Sequence, residues 1–167
     1  MAVLNKLLEQ RAYTDTHTGL PNKSACEELL NNKETVGKHT ACIMFDLNNL
    51  KIINDTKGHL MGDQLILNFA RLLRNVIPQK DFVGRYGGDE FMVVIYNTSK
   101  TEIEDILKQL SREKDRLNSS GNNMPIDYAC GWAISDADSE CTIQMLLDKA
   151  DYYMYENKQA YKKSKKS

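Results

Sequence analysis

The chain has 167 residues, 41% hydrophobic and 27% charged, with a formal net charge of −1. That is the length and composition of one globular domain able to bury a true core, not of a disordered or membrane-embedded chain. The near-neutral balance excludes a general electrostatic pull toward nucleic acid or a membrane surface, so phosphate recognition has to be local.

Residues 1–13 carry Val3, Leu4, Leu7 and Leu8 among polar neighbours and read as an amphipathic helix, either a linker from an upstream domain or a terminal arm. Positions 15–22, with Gly19 and Pro21 close together, are turn chemistry. A helix is expected over 23–34, with Ser24 and Glu27 as its capping box and Leu29 and Leu30 on its core face. Thr40 to Phe45 is a short apolar run that reads as a buried central strand, ending in Asp46. A carboxylate just past a buried strand is either a helix N-cap or a group emerging at the sheet edge. Leu47 to Asp55 reads as a short helix whose first turn offers free N–H groups to a phosphate. Thr56 to Asp63 breaks it, and a largely buried helix follows from Gln64 to Val76, ended by Pro78.

Phe82-Val83 and Met92 to Tyr96 flank Arg85-Tyr86-Gly87-Gly88-Asp89-Glu90-Phe91 as two strands of a hairpin. Gly87 and Gly88 let the backbone approach a bulky ligand, and the adjacent carboxylates Asp89 and Glu90 suit Mg²⁺, a hard cation that shares oxygen ligands with phosphates. Ser99 and Glu102 form a second capping box, opening a helix with Ile103, Ile106, Leu107, Leu110 and Leu117 on one face. Positions 118–123 are a loop, and Ile126 to Ile134 a strand containing Gly131 and Trp132. The last helix is expected over 142–158, with Ile143, Leu146, Leu147, Ala150, Tyr153 and Met154 inward, before a solvated basic tail. Lys158 and Lys162 share one face of its extension. The order β-α-α-β-β-α-β-α argues an α+β fold, an antiparallel sheet with helices packed on it.

Cys26, Cys42, Cys130 and Cys141 are scattered without a CxxC or histidine pairing, which favours reduced core thiols over zinc or disulfides. With no apolar run long enough to span a bilayer and no signal-peptide pattern, the chain is expected in the cytoplasm, alone or as the cytoplasmic part of a larger sensor. No Walker loop is present, so a nucleotide here is held some other way.

Three separated segments together resemble a GGDEF domain, the diguanylate cyclase family: Asp15 to Asn22; Phe45-Asp46 with Lys51, Asn54-Asp55, Gly58-His59 and Gly62-Asp63; and Arg85 to Phe91. The resemblance covers the chain from about residue 10 to 162; it implies a domain over 14–162, with 1–13 as a linker helix from an upstream sensory domain and 163–167 as a basic tail. It implies a ferredoxin-like core resembling nucleotidyl-cyclase palms and the condensation of two GTP into cyclic di-GMP with release of two pyrophosphates. It implies Mg²⁺, with Mn²⁺ as a substitute, held by Asp46, the Leu47 carbonyl and Asp89. Asp89 is then the catalytic acidic residue and Glu90 a second contributor. Asn54 and Asp63 match the guanine readers, with His59 in the same stretch, and Lys51, Lys158 and Lys162 stand near the phosphates. A carboxylate at Asp63 accepting from guanine N1–H and N2–H₂ also rejects adenine, which cannot make those bonds. Paired acidic positions suit two metal ions about 3.5–4 Å apart, activating a 3′-hydroxyl and stabilising the departing pyrophosphate. Because the product needs two equivalent half-reactions, catalysis is expected from a homodimer, with no nucleic-acid partner and no membrane contact by this segment. The rival reading is a non-catalytic module responsive to GTP or cyclic di-GMP.

The departures are specific. Many members have Asp-x-Asp-x-Phe-Lys where this chain has Asp46-Leu47-Asn48-Asn49-Leu50-Lys51, and Lys162 stands where an arginine is common. The family's inhibitory product site is an Arg-x-x-Asp, and here those positions read Pro78-Gln79-Lys80-Asp81. Proline cannot clamp a phosphate, so that form of product inhibition is expected to be absent.

Overall fold

The computed structural model describes residues 1–37, 39–121, 124–136 and 140–166. Along the chain run α1 (Ala2–Tyr13), α2 (Lys23–Asn31), β1 (Ala41–Leu47), α3 (Leu50–Lys57), α4 (His59–Val76), β2 (Phe82–Arg85), β3 (Glu90–Ile95), α5 (Lys100–Ser119), β4 (Tyr128–Ile134) and α6 (Ile143–Lys166). The strands form one antiparallel sheet in the order β2-β3-β1-β4, with the apolar β1 in the interior, flanked by helices. Among the described residues no helix is long and apolar enough to cross a membrane.

The period of two along a strand divides the core between the two faces. On one face Ala41, Ile43, Phe45 and Leu47 of β1 and Phe91, Val93 and Ile95 of β3 pack with α4 and α5 through Leu65, Phe69, Leu72, Leu73, Ile103 and Leu110. Phe69 is central, meeting Phe45 and Phe91 edge-on at 5.8 and 5.0 Å between ring centroids. On the other face Cys42 and Met44 of β1 and Met92 and Val94 of β3 pack with α2 and α6 through Cys26, Leu30, Leu146, Leu147, Ala150 and Met154. By the same alternation Asp46 and Glu90 belong to the α6 face.

Several boundaries differ from those read in the sequence. Asn22, not Ser24, caps α2: its Oδ1 accepts from the Ala25 N–H at 3.0 Å, because the extended backbone at Asn22 already places that side chain over the first turn. β1 continues through Asp46 to Leu47, so Asp46 is a strand residue and caps no helix. α3 starts at Leu50, and its N-cap Asn49 takes the left-handed conformation that asparagine tolerates. The break expected over 56–63 shrinks to Gly58, at φ 88°, and α4 begins at His59, which puts Asp63 inside the helix and not at its cap. Tyr153 is 51% exposed: the inward stripe runs through Ala150 to Met154, and Tyr153 turns out to meet Tyr152 at 5.6 Å. With no glycine or proline to stop it, α6 continues to Lys166 instead of dissolving into a tail. The capping box of Ser99 and Glu102 is present as expected. Asn122 and Asn123 of the expected loop, and Ser167 of the tail, lie outside the described residues.

Candidate active site

Antiparallel pairing of β1 with β3 sets Asp46 directly opposite Glu90, and Asp89 precedes Glu90 at the hairpin tip. The Leu47 N–H donates to the Asp89 carbonyl at 2.8 Å, so the ladder holds the tip against the end of β1. Asp46 Oδ2 accepts from Lys158 Nζ at 2.6 Å, while Oδ1 is buried with no hydrogen-bond partner.

Lys158 reaches β1 from α6 because the strand between them is thin on that side. The α6 face of β4 carries Ala129, Gly131 and Ala133, opposite Asp46, Met44 and Cys42. A Cβ on Gly131 would overlap the backbone of Ala150 and Met154, so the helix lies directly on the strand. Asn157 Nδ2 donates to the Cys130 carbonyl at 2.7 Å and pins the next turn.

The hairpin tip is braced from the turn at the start of the fold. Arg85 Nη1 contacts both Asp15 carboxylate oxygens at 3.3 and 3.2 Å, and Arg85 Nη2 donates to the Gly88 carbonyl at 2.9 Å. Asp15 also accepts from the Thr18 hydroxyl at 2.6 Å and the Thr18 N–H at 3.0 Å. Burial would raise the Asp15 pKa, but the Thr18 bonds and the Arg85 charge outweigh it and hold the carboxyl below its ordinary value. His17 Nε2 donates to the Asp63 carbonyl at 2.8 Å, tying the same turn to α4. Asp15 and Arg85 both lie within the sequence motifs, but nothing in their type or spacing gives either a role; only the fold brings together residues 70 positions apart.

Asp89 opens onto a groove of about 640 Å³ whose lining includes Leu47, Lys51, Lys158 and Lys162. Asp46 abuts this groove through Lys158. Asn54, His59 and Asp63 do not line it. They stand at the α3–α4 corner, where Gly62 has no room for a Cβ because the Asn54 side-chain carbonyl occupies that place. Leu50 joins the two regions: it lines the groove, and its Cδ1 would lie 3.2 Å from the same Cβ. Gly87 and Gly88 both have negative φ, and a Cβ on Gly88 would meet nothing within 4 Å. Backbone strain therefore does not require glycine at 88, and its open surface is what glycine secures.

The acidic end is electrostatically crowded. Burial raises the Asp89 pKa, and the charge of Asp46 raises it further against the opposing pull of Lys158. Glu90 is raised by burial and by the charges of Asp46, Asp89 and Asp151. Among the described residues no three His, Cys, Asp or Glu side chains form a closed metal-binding group. The unpartnered Asp46 Oδ1 and the mutual repulsion of Asp46, Asp89 and Glu90 nevertheless fit an open site for a hard divalent cation such as Mg²⁺.

A family model described as diguanylate cyclase, GGDEF domain, matches residues 12–164. The signaling protein YkoW of Bacillus subtilis (strain 168) is 32% identical over 94% of this chain and 20% of its own length. The diguanylate cyclase DgcP of Escherichia coli (strain K12) is 30% identical over 96% of this chain and 48% of its own length. This chain thus spans less than half of either relative, and other relatives of comparable identity are named cyclic di-GMP phosphodiesterases. The GGDEF domain of DgcB from Caulobacter crescentus, solved in complex with c-di-GMP, superposes with a TM-score of 0.76 at 26% identity, covering 89% of this chain and 91% of that one. With a family match over nearly its whole length and the same fold in solved members, the chain belongs to the diguanylate cyclase GGDEF-domain family.

Proposed function

We propose that this chain is a diguanylate cyclase module that condenses two GTP into cyclic di-GMP and two pyrophosphates. The observation that carries the reading is Asp89 on the wall of a lysine-lined groove, next in the chain to Glu90, which faces the like-charged Asp46 across the sheet. A fold does not keep facing carboxylates for stability; a cation and a polyphosphate are what such an arrangement accommodates.

In this reading Lys51, Lys158 and Lys162 bind the phosphates, and Asp46, the Leu47 carbonyl and Asp89 hold the cation. Mg²⁺ bound there supplies a Lewis acid that lowers the pKa of the 3′-hydroxyl and offsets charge on the phosphates. The 3′-oxygen of one nucleotide forms a bond to the α-phosphorus of the other. The bond from that phosphorus to the bridging oxygen breaks, pyrophosphate leaves with the electron pair, and the hydroxyl proton passes through the carboxylates, with Glu90 contributing, to water. Asn54 and Asp63 read guanine, with His59 alongside. The open backbone at Gly87 and Gly88 leaves room for the nucleotide to lie against the hairpin.

Each chain carries one set of these residues and the product needs two half-reactions, so two copies work face to face. The exposed leucines of α1 fit an arm arriving from an upstream sensory domain that controls this pairing. A module that consumes GTP works in the cytoplasm.

The test is incubation with GTP and Mg²⁺ and chromatographic detection of cyclic di-GMP. The rate rises more than in proportion to protein concentration, and Asp89→Ala abolishes it; unchanged product from that variant removes Asp89 from the chemistry. A second reading, a module that binds GTP or cyclic di-GMP without turnover, draws on the phosphodiesterase-named relatives. It predicts saturable nucleotide binding with no product at any protein concentration.

A further inference from the structure

The last buried residue of α6 is Met154, yet the helix continues for three more turns to Lys166. Exposed helix ends without packing fray, so something has to hold these turns in place. The structure supplies a polar clasp. Tyr161 Oη donates to Asp127 Oδ2 at 2.8 Å, and Asn48 Nδ2 donates to the same oxygen at 3.3 Å. The Asn48 N–H donates to the Asp127 carbonyl at 2.8 Å, fixing the backbone just before β4 to the end of β1. One carboxylate thus joins three segments: the β1–α3 turn, the approach to β4 and the far end of α6.

The face that the clasp fixes is basic. Lys158, Tyr161, Lys162, Lys165 and Lys166 follow the helical spacing of three and four and all line the groove opposite Lys51 and Asp89. Lys165 Nζ sits 4.6 Å from the centroid of the Tyr161 ring, so the clasp residue also orients a lysine. Of the five groove lysines, Lys158 alone makes a salt bridge among the described residues, which leaves an excess of positive charge in a chain whose net charge is −1. In isolation such charges repel; a chain of linked phosphates is a small anion that carries enough charge to answer several of them at once.

We propose that Lys165 and Lys166 extend the phosphate-binding wall to a ligand bearing at least two linked phosphates, and that Asn48, Asp127 and Tyr161 position them. In the proposed reaction, on which this inference rests for its ligand, they hold the β- and γ-phosphates of GTP and the pyrophosphate that leaves. Asn48 has a specific part: an amide can donate to Asp127, whereas an aspartate at 48 would set two carboxylates against each other.

The test is a calorimetric titration of the full chain at low ionic strength, in EDTA so that no bound cation contributes, with inorganic pyrophosphate and with GMP as separate probes. Lys165→Gln with Lys166→Gln weakens pyrophosphate binding about tenfold and lowers its salt dependence, while GMP affinity stays unchanged. Tyr161→Phe keeps every lysine and weakens pyrophosphate in the same direction by about threefold, with the thermal midpoint preserved. Pyrophosphate affinity equal to wild type in the double lysine variant overturns the inference, as does a wild-type chain that does not bind pyrophosphate. Cyclic di-GMP formation is scored separately. A chain that makes product but whose pyrophosphate affinity ignores Lys165 and Lys166 retains the cyclase reading and loses this one. A lysine-dependent pyrophosphate site without product does the reverse.

Discussion

Asp46 on β1 and Glu90 on β3 are cross-strand partners, directly opposite each other on the α6 face of the sheet. Like charges in that position destabilise a sheet by about 0.2–1 kcal/mol. Glu90→Gln is therefore expected to stabilise the metal-free protein at pH 7, raising its thermal midpoint by up to about 4 °C. The sign with pH follows from the raised Glu90 pKa. The folded state holds the proton to higher pH than the unfolded chain, so the penalty is absent in acid and grows as pH rises through the raised value. The gap between variant and wild type opens with that rise, and Mg²⁺ narrows it by stabilising wild type more. A variant less stable than wild type at pH 7 refutes the pairing as a source of strain.

Much of this was legible beforehand, for identifiable reasons. Continuous apolar runs and glycine turns gave β1, the hairpin and the order of elements, because burial on both faces and sharp reversal leave local marks. The boundaries differ where a distant contact extends a helix, as Tyr161 holds α6 past residue 158, and where a single glycine, Gly58, suffices to turn α3 into α4. Asp89, Lys158 and Lys51 could be named from the resemblance to the family, matched position by position. Asp127 and Tyr161 could not, since neither residue type nor spacing announces a bond across 34 positions.

Gly88 and Gly131 are expected to answer differently to the same substitution. Gly131→Ala drives a methyl into the backbone of α6, and overpacking of this kind costs about 1–3 kcal/mol. The helix must lift, and the 2.6 Å contact of Lys158 with Asp46 lengthens. Gly88→Ala meets open space, so stability stays within about 0.5 kcal/mol. Its loss falls instead on GTP affinity, measured by titration with a non-reacting analogue. A Gly88→Ala chain that binds the analogue as wild type does would remove the ligand from the hairpin surface.

The ion pair of Lys158 with Asp46 is part-buried, with side-chain exposures of 30% and 15%. Lys158→Met leaves both Asp46 oxygens without a hydrogen-bond partner, at a cost of about 1–3 kcal/mol. Asp46→Asn in the same chain recovers part of that loss, because no unpaired charge remains. Urea unfolding of the two single variants and the double should return a coupling of about 0.5–3 kcal/mol. Strict additivity is the contrary result and would make the contact energetically idle.

Asp15→Asn tests the brace behind the hairpin. Its lowered carboxyl pKa means that the folded state releases this proton more readily than the unfolded chain does. The stabilisation is present above the ordinary aspartate range, about pH 4, and is lost as pH falls through the lowered value. Wild type is therefore the more stable at pH 7, and the two chains converge in acid. Because Arg85 also holds the Gly88 carbonyl, the variant weakens GTP binding as well. A stability difference independent of pH would mean that the Asp15 charge does not contribute.

Asp81 already has a structural duty: its Oδ1 accepts the Tyr96 N–H at 3.1 Å, and the position three residues before it is Pro78, which offers no cation. Cyclic di-GMP is accordingly expected to bind poorly at this locus, and Asp81→Ala should leave the titration with cyclic di-GMP unchanged. The variant's loss appears in stability, by about 0.5–1.5 kcal/mol, since the exposed Tyr96 N–H beside β3 exchanges its carboxylate acceptor for water. Pro78→Arg supplies the missing guanidinium next to the unpartnered Asp81 Oδ2 and should create binding where wild type has little. Tight binding by wild type that disappears with Asp81→Ala is the opposite pattern, and it would show that an arginine is not needed for the product to be held there.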